Sequence, residues 1–396
     1  MKSIYFDNSA STQVDERVLG VMRPFFIENF GNAHSVHSFG QTALAAVDEA
    51  REKIAGFLNC GSQEIIFTSG ATESNNLAIN GVVSELNKKQ KVHCVTTKIE
   101  HPSVLEVVKN LEKSGAIEAN YLKVDAAGKI DVENLKKTIK PNTVLVSIMY
   151  ANNEVGSIQP IREVAEVISN ERKQRINDLP LYLHVDAVQA VNYLTCDVQE
   201  LGVDLLSFSG HKIYGPKGVG ALFIRKGIKI KPIVCGGGQE YGLRSGTLNV
   251  PSIVGLGKAV ELIKEGTRLD SARRDIIKIK KIKEKIVKGL KKIEDIRFNG
   301  AGDSQLPNII NVSFKKAEGE SILMMLDMAG VAVSTGSACS SGSLEPSPVL
   351  SAMGVQPEWS HGSIRVSLGR FNTEAEATIF LKEIEPIIKK LRQMAP

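Results

Sequence analysis

The sequence predicts an α/β protein with a mostly parallel central sheet, on three observations. Between about Glu64 and Ile224, seven short β-branched runs alternate with longer helical patterns, the arrangement of parallel strands joined by helical crossovers. Clusters of small and polar residues follow directly after several of these runs. The length of 396 residues exceeds what one hydrophobic core usually supports, and at roughly 150 residues per domain it implies two or three domains.

The candidate strands are EIIFT, KVHCVTT, NYLKV, TVLVSIMY, LYLHV, VDLLSFS and GVGALFI. Ligands of such sheets bind outside the carboxyl ends of the strands. TSGATESNN after EIIF, ANNE after VSIMY, DAVQ after LHV and SGHK after LLSF are therefore expected along one rim. A glycine-rich stretch from Gly236 to Gly246 then leads into PSIVGLGKAVELIKEG. From Ser271 to Arg297, Ile276, Ile279, Ile282, Ile286, Leu290 and Ile293 recur every three or four residues among lysines. That spacing predicts an amphipathic helix with a solvated basic face. NIINVSF and SIRVSLG read as strands and TEAEATIFLKEIEPIIKKLRQM as a closing helix, which suggests a smaller α+β unit. The expected boundaries are a large domain over 14–258 and a small domain over 259–396 joined by 1–13.

Composition excludes several classes. Apolar residues make up 42%, charged residues 23%, and mean hydropathy is -0.05, values that argue against a disordered or membrane-spanning chain. No run reaches the ~18 apolar residues a bilayer helix requires, and no signal peptide precedes the acidic Asp7, so a cytosolic protein is expected. Forty-nine basic against 44 acidic side chains give +5, too weak a charge to imply nucleic acid or an anionic membrane. The five cysteines, Cys60, Cys94, Cys196, Cys235 and Cys339, are scattered without a Cys-x-x-Cys pair, which argues against a disulfide framework or structural zinc. His34 and His37 form a His-x-x-His pair with no third ligand nearby, so no metal site is expected.

Chemistry concentrates in the polar clusters. Lys212, in SFSGHKIYG at the end of an apolar run, stands where an amine is partly desolvated beside an anion site, the setting of a Schiff-base lysine. Asp186 in LHVDAVQA ends a strand, and a carboxylate buried there needs a cation. A pyridinium nitrogen would serve, and an aspartate on that nitrogen together with a Schiff-base lysine marks enzymes of pyridoxal phosphate (PLP). In FTSGATESNNLAI, the amides of Ala71 and Thr72, the Thr72 hydroxyl and the helix dipole form an anion site suited to a phosphate. Ser209 and His211 could donate to the same phosphate.

With TTKIEHPSV, ANNEVG, HVDAVQA, GGGQEYGLRSGTLNVPSIVG, STGSACSSGSLEPS and SIRVSLGRFNTEAE in this order, the chain resembles the PLP-dependent cysteine desulfurases of the class V aminotransferase family. The likeness is to the group with the longer cysteine loop that serves iron-sulfur cluster assembly and nitrogenase maturation. The resemblance implies the PLP-dependent transferase fold type I, a homodimer with active sites at the interface, L-cysteine as substrate and a sulfur-acceptor protein such as an iron-sulfur scaffold as partner. It makes Lys212 the cofactor-bound lysine, Asp186 the partner of the pyridine nitrogen, and Gln189 and Asn153 donors to the phenolic oxygen. It has His101 stack on the ring and assist proton transfer. Ala71, Thr72, Ser209 and His211 would hold the phosphate, joined by Thr247 from the other subunit. Arg365 would clamp the substrate carboxylate, and Cys339 would take up sulfur as a persulfide from an exposed loop of small residues. Departures lie in YFDNSASTQVD, at Ser11 and Gln13, and in GNAHSVH, at Ala33 and His34; none removes a catalytic group.

Two other readings compete. A selenocysteine lyase or other PLP-dependent β-eliminase would share the fold, and Cys339 argues against it. A non-catalytic assembly scaffold would have no use for Lys212, Asp186, His101, Cys339 and Arg365 together.

Overall fold

The computed structural model describes residues 3–86, 91–267, 272–300, 302–336 and 347–394. All seven β-branched runs form strands of one sheet: β1 (Ile65–Thr68), β2 (Val92–Thr97), β3 (Ile117–Leu122), β4 (Thr143–Met149), β5 (Tyr182–Asp186), β6 (Leu205–Ser209) and β7 (Gly220–Ile224). Their order is β1-β7-β6-β5-β4-β2-β3. Only β7 runs antiparallel to its neighbours, β1 and β6; the other pairings are parallel. Strands β2, β4, β6 and β7 are buried at every residue, whereas the edge strand β3 alternates buried and exposed positions. Burial on both faces explains why the central runs are predominantly apolar and lack a period of two, with His93, Ser147, His184 and Ser207 among the buried polar exceptions.

Helices cover both faces. On one, α2 (Ala71–Leu86) and α3 (Pro102–Lys113) bury Leu77, Val82, Val104 and Val108 against Ile66, Cys94 and Leu222. On the other, α1 (Ser38–Leu58) and α4 (Val250–Thr267) bury Val47, Ile54 and Leu256 against Phe67, Val185 and Phe208. Helix α1 stops at Asn59, whose φ of 57° and ψ of 53° take the left-handed turn asparagine tolerates. Its first turn is capped by His37, whose Nδ1 accepts the Gly40 amide at 3.3 Å. Two glycines permit close approach: a Cβ at Gly257 would meet the Ala50 Cα at 2.8 Å, and one at Gly220 would meet the Phe208 carbonyl at 2.7 Å and the Gly70 backbone at 2.8 Å.

A second, antiparallel sheet has the order β10-β9-β8, from β8 (Ile296–Asn299), β9 (Ile309–Phe314) and β10 (Ser363–Ser367). It packs against α5 (Ala272–Leu290), α6 (Gly319–Met328) and α7 (Glu374–Met394) through Ile282, Ile286, Val312, Phe314, Leu326 and Phe380. The isoleucine stripe of α5 is thus a core face at Ile279, Ile282, Ile286 and Leu290. Ile293 falls beyond the helix. The N-terminal strand Ile4–Tyr5 pairs in parallel with Val331–Ala332, and Asp7 bridges to Ser367. This brings the residues after it to the rim of the large sheet.

A buried ion pair holds the glycine-rich segment to that sheet. Arg51 Nη2 meets Glu240 Oε1 at 2.6 Å, Nη1 meets Oε2 at 2.9 Å, and Oε2 also accepts the Phe67 amide at 2.7 Å. Both side chains are nearly inaccessible, at 7% and 1%. Removing one partner of such a pair strands a charge, so Glu240→Ala should lower stability by about 3–5 kcal/mol in urea unfolding. A loss below about 1 kcal/mol, the scale of an exposed pair, would contradict this reading of the contact.

Candidate functional site

A cavity of about 580 Å³ opens at the carboxyl ends of β1, β4, β5 and β6. Ten residues singled out from the sequence line it: the anion-turn pair Ala71 and Thr72; His101, Asn153, Asp186 and Gln189; Ser209, His211 and Lys212; and Arg365. Thr247 is exposed and is not part of this wall. Cys339 lies outside the described residues, but Gly336, three positions before it, does line the cavity.

Asp186 is the last residue of β5 and is 5% exposed. Its Oδ1 accepts the Val188 amide at 3.0 Å and its Oδ2 accepts Asn75 Nδ2 at 2.8 Å. Lys212 closes a single helical turn after β6, and its Nζ donates to the carbonyls of Ser9 and, at 2.8 Å, Ala10. Gln189 Nε2 donates to the same Ser9 carbonyl at 3.0 Å. His101 caps the start of α3, with Nδ1 3.1 Å from the Ser103 amide and 2.8 Å from its hydroxyl. Burial lowers the His101 pKa, and the Lys212 charge adds to that effect while Asp186 opposes it. His211 is pushed down to about 4 by burial and by Lys212 and Lys217, so at neutral pH it is an uncharged ring that can still donate one N–H.

The turn Ser69–Gly70 leads into α2, whose first-turn amides have no intrahelical acceptors. Glu73 steadies the turn through the Ser69 amide at 2.8 Å and is itself neutralised by Arg244 at 2.8 Å. Arg365, on β10 of the second sheet, is 3% exposed; Nη1 donates to the Asn153 carbonyl at 3.0 Å and Nη2 pairs with Asp7 at 2.7 Å. Sequence reasoning assigned no role to Asp7, Ser9, Ala10, Asn75 or Ser103. The motif YFDNSAS marked the first three only as a stretch, and Asn75 lay unassigned inside TESNN.

A sequence profile described as aminotransferase class-V matches residues 4–380. The chain belongs to the class-V aminotransferases. It is 48% identical over 396 residues to the "Cysteine desulfurase IscS" of Dictyoglomus turgidum, covering 100% of this chain and 97% of that one. It is 45% identical over 398 residues to the mitochondrial cysteine desulfurase of Saccharomyces cerevisiae, covering 100% of this chain and 77% of that one. Among solved structures, a "NifS-like protein" superposes with a TM-score of 0.90 at 41% identity, covering 98% of this chain and 100% of the other. A structure titled "SspA in complex with cysteine" gives 0.80 at 36% identity, covering 94% and 100%. The mostly parallel seven-stranded sheet is thus the class-V architecture that the motifs implied.

In this class-V aminotransferase, three cysteines besides Cys339 are held as thiols. Burial pushes the thiols of Cys94 and Cys196 up to about 12, and burial with neighbouring carboxylates does the same to Cys60. None of the three supplies a thiolate at neutral pH.

A buried carboxyl also sits behind the site. Glu100, 3% exposed, accepts Thr97 Oγ1 at 2.7 Å and the Met149 amide at 2.9 Å through Oε1. Burial, reinforced by the Asp186 charge, raises it to about 8 from 4.5, so it is neutral at pH 7 and adds no second negative charge beside Asp186. Because the folded-state value lies above the unfolded one, folding takes up a proton in this window, and the contribution to stability is lost as pH rises from about 4.5 to about 8. The neutral variant Glu100→Gln lacks that slope. The stability difference between wild type and variant should therefore shift by on the order of 1 kcal/mol per pH unit across the window, in the variant's favour at high pH. Parallel pH profiles of urea stability would show that Glu100 is ionised in the folded protein.

Proposed function

We propose that this chain is a PLP-dependent cysteine desulfurase, which converts L-cysteine to L-alanine and passes the sulfur to its own Cys339. The observation that carries the reading is the convergence of Lys212, Asp186, His101 and Arg365 on one cavity whose wall also includes Gly336, just ahead of Cys339. The names of the full-length relatives support it.

The residues present fit the cofactor. The cavity wall includes the first turn of α2 with Ser209 and neutral His211, a donor set for a phosphate. On the wall of the same cavity, the nearly inaccessible Asp186 carboxylate keeps acceptor capacity for a protonated ring nitrogen. Gln189 and Asn153, on the same wall, would donate to a phenolic oxygen, and Thr247, exposed and outside the wall of its own cavity, would complete the phosphate site of the other subunit. When bound, pyridoxal phosphate supplies an electron sink for the charge that develops at the substrate α-carbon.

The chain's own groups then divide the work. Arg365 binds the substrate carboxylate with a planar guanidinium already oriented by Asp7 and the Asn153 carbonyl. The Lys212 amine moves the α-proton, and neutral His101 holds or delivers a proton on the other reacting atoms. The Cys339 thiolate attacks the substrate sulfur: an S–S bond forms, the carbon–sulfur bond breaks, and protonation of the remaining carbon skeleton yields alanine. The persulfide then passes to an acceptor protein, which we take to be an iron-sulfur scaffold.

We also propose a homodimer acting in the cytoplasm. Phe26, Ile27, Phe30, Val36 and Phe39 are 60%, 64%, 67%, 90% and 52% exposed on one chain, an apolar surface that a second copy would cover. No helix among the described residues is long and apolar enough to cross a membrane.

Cys339→Ser should bind L-cysteine yet fail to release alanine and sulfide, because a hydroxyl of similar size stays protonated and accepts no sulfur. Mass analysis of the wild type after cysteine treatment should find one added sulfur on the peptide holding Cys339. Continued desulfuration by the variant would favour a β-eliminase, and a persulfide on Cys235, the exposed alternative, would move the acceptor role there.

A further inference from the structure

We propose that Asn75 is a positioning residue which, from a single side-chain amide, aims the Asp186 carboxylate and fixes the proton of His101 on Nε2. The proposal rests on the reading above, in which both of these residues face the cofactor.

Asn75 lies in the second turn of α2 and is fully buried. Its Nδ2 is 2.8 Å from Asp186 Oδ2 and 2.9 Å from Ser103 Oγ. An ionised carboxylate accepts and cannot donate, so the amide face toward Asp186 is the NH₂ group. Both amide hydrogens are thereby committed, one to each neighbour. The Ser103 oxygen accepts one of them, and its own hydrogen is left for His101 Nδ1 at 2.8 Å. The Ser103 backbone N–H, an obligate donor, points at the same Nδ1 at 3.1 Å. Two donors converge on one ring nitrogen, which must carry a lone pair; the ring proton of a neutral imidazole is then on Nε2.

The arrangement leaves Asn75 Oδ1 buried with no hydrogen-bond partner. A buried acceptor without a donor is costly, and a side chain serving only to fill space would avoid it. The oxygen is left unpaired because the nitrogen is needed on two sides. The same donors oppose protonation of Nδ1, which adds to the effect of burial in keeping the ring uncharged. Asn75 thus joins the group facing the cofactor ring nitrogen to the group that handles a proton, across elements 28 and 111 residues apart in sequence.

The test uses holoenzyme labelled with nitrogen-15 in its histidine rings, with kinetics on the same samples. In the wild type, His101 should show an unprotonated Nδ1 and a protonated Nε2. Ser103→Ala removes the hydroxyl donor but leaves the Asn75–Asp186 contact; it should move the Nδ1 resonance, lower kcat roughly tenfold or more with little change in KM, and leave the visible absorption of the cofactor unchanged. Asn75→Leu should move the Nδ1 resonance and also shift that absorption. A wild-type His101 protonated on Nδ1, or a Nδ1 resonance unmoved in Ser103→Ala, would overturn the proposal; the second holds even if Asn75→Leu fails to fold. Absence of cysteine turnover in the wild type would sink the desulfurase reading instead, while the ring-nitrogen signals would still decide this one.

Discussion

A carboxylate at the end of a central strand, 5% exposed, is the feature around which the site is organised. Such a charge is unfavourable unless donors and a cation surround it. The donors come from the protein: the Val188 amide just past the strand and Asn75 from the helix after β1. To supply the second, α2 must begin at the strand rim, which also places its free amides on the cavity wall. The location of the proposed phosphate site and that of the proposed ring-nitrogen partner are therefore two results of one packing arrangement. Antiparallel β7 between β1 and β6 tightens that arrangement, and Gly220 is the residue that permits it.

The proposed substrate end depends on the second sheet. Arg365 reaches the cavity from β10, and its guanidinium is held by the Asn153 carbonyl after β4 and by Asp7 from the N-terminal segment. Three chain regions distant in sequence thus set the direction of one cation. A bidentate guanidinium oriented in advance loses less side-chain freedom when a carboxylate binds than a lysine would. Lys212 is likewise directed by carbonyls of the N-terminal segment, at Ser9 and Ala10.

Much of this was legible in the sequence, for physical reasons that can be named. Strands buried on both faces must be predominantly apolar, so the central runs stood out; polar clusters at their carboxyl ends had no core role to explain them, and those clusters line the cavity. The isoleucine period of α5 announced a core face, although Ile293 lies past the helix end at Leu290. Asp7 and Asn75 were not legible as functional, because their contacts span 28 to 358 residues that no local pattern records; Ser103, though only two residues from His101, was missed because its link to Asn75 is long-range. The departure at Ser11 lies on the cavity wall, 3.3 Å from His211 Nδ1, whereas His34 is exposed. Thr247 carried no local signal for lying outside the wall of its own cavity; only the family resemblance of its motif implied a second subunit.

The account's central claim is that this cavity binds pyridoxal phosphate through Lys212. The most direct measurement is borohydride reduction of the purified holoenzyme followed by mass analysis of its peptides. Lys217 also lines the cavity and offers an internal control of the same chemistry. A single phosphopyridoxyl addition on Lys212 is the result expected. An addition on Lys217, or none on any cavity lysine, would contradict the account.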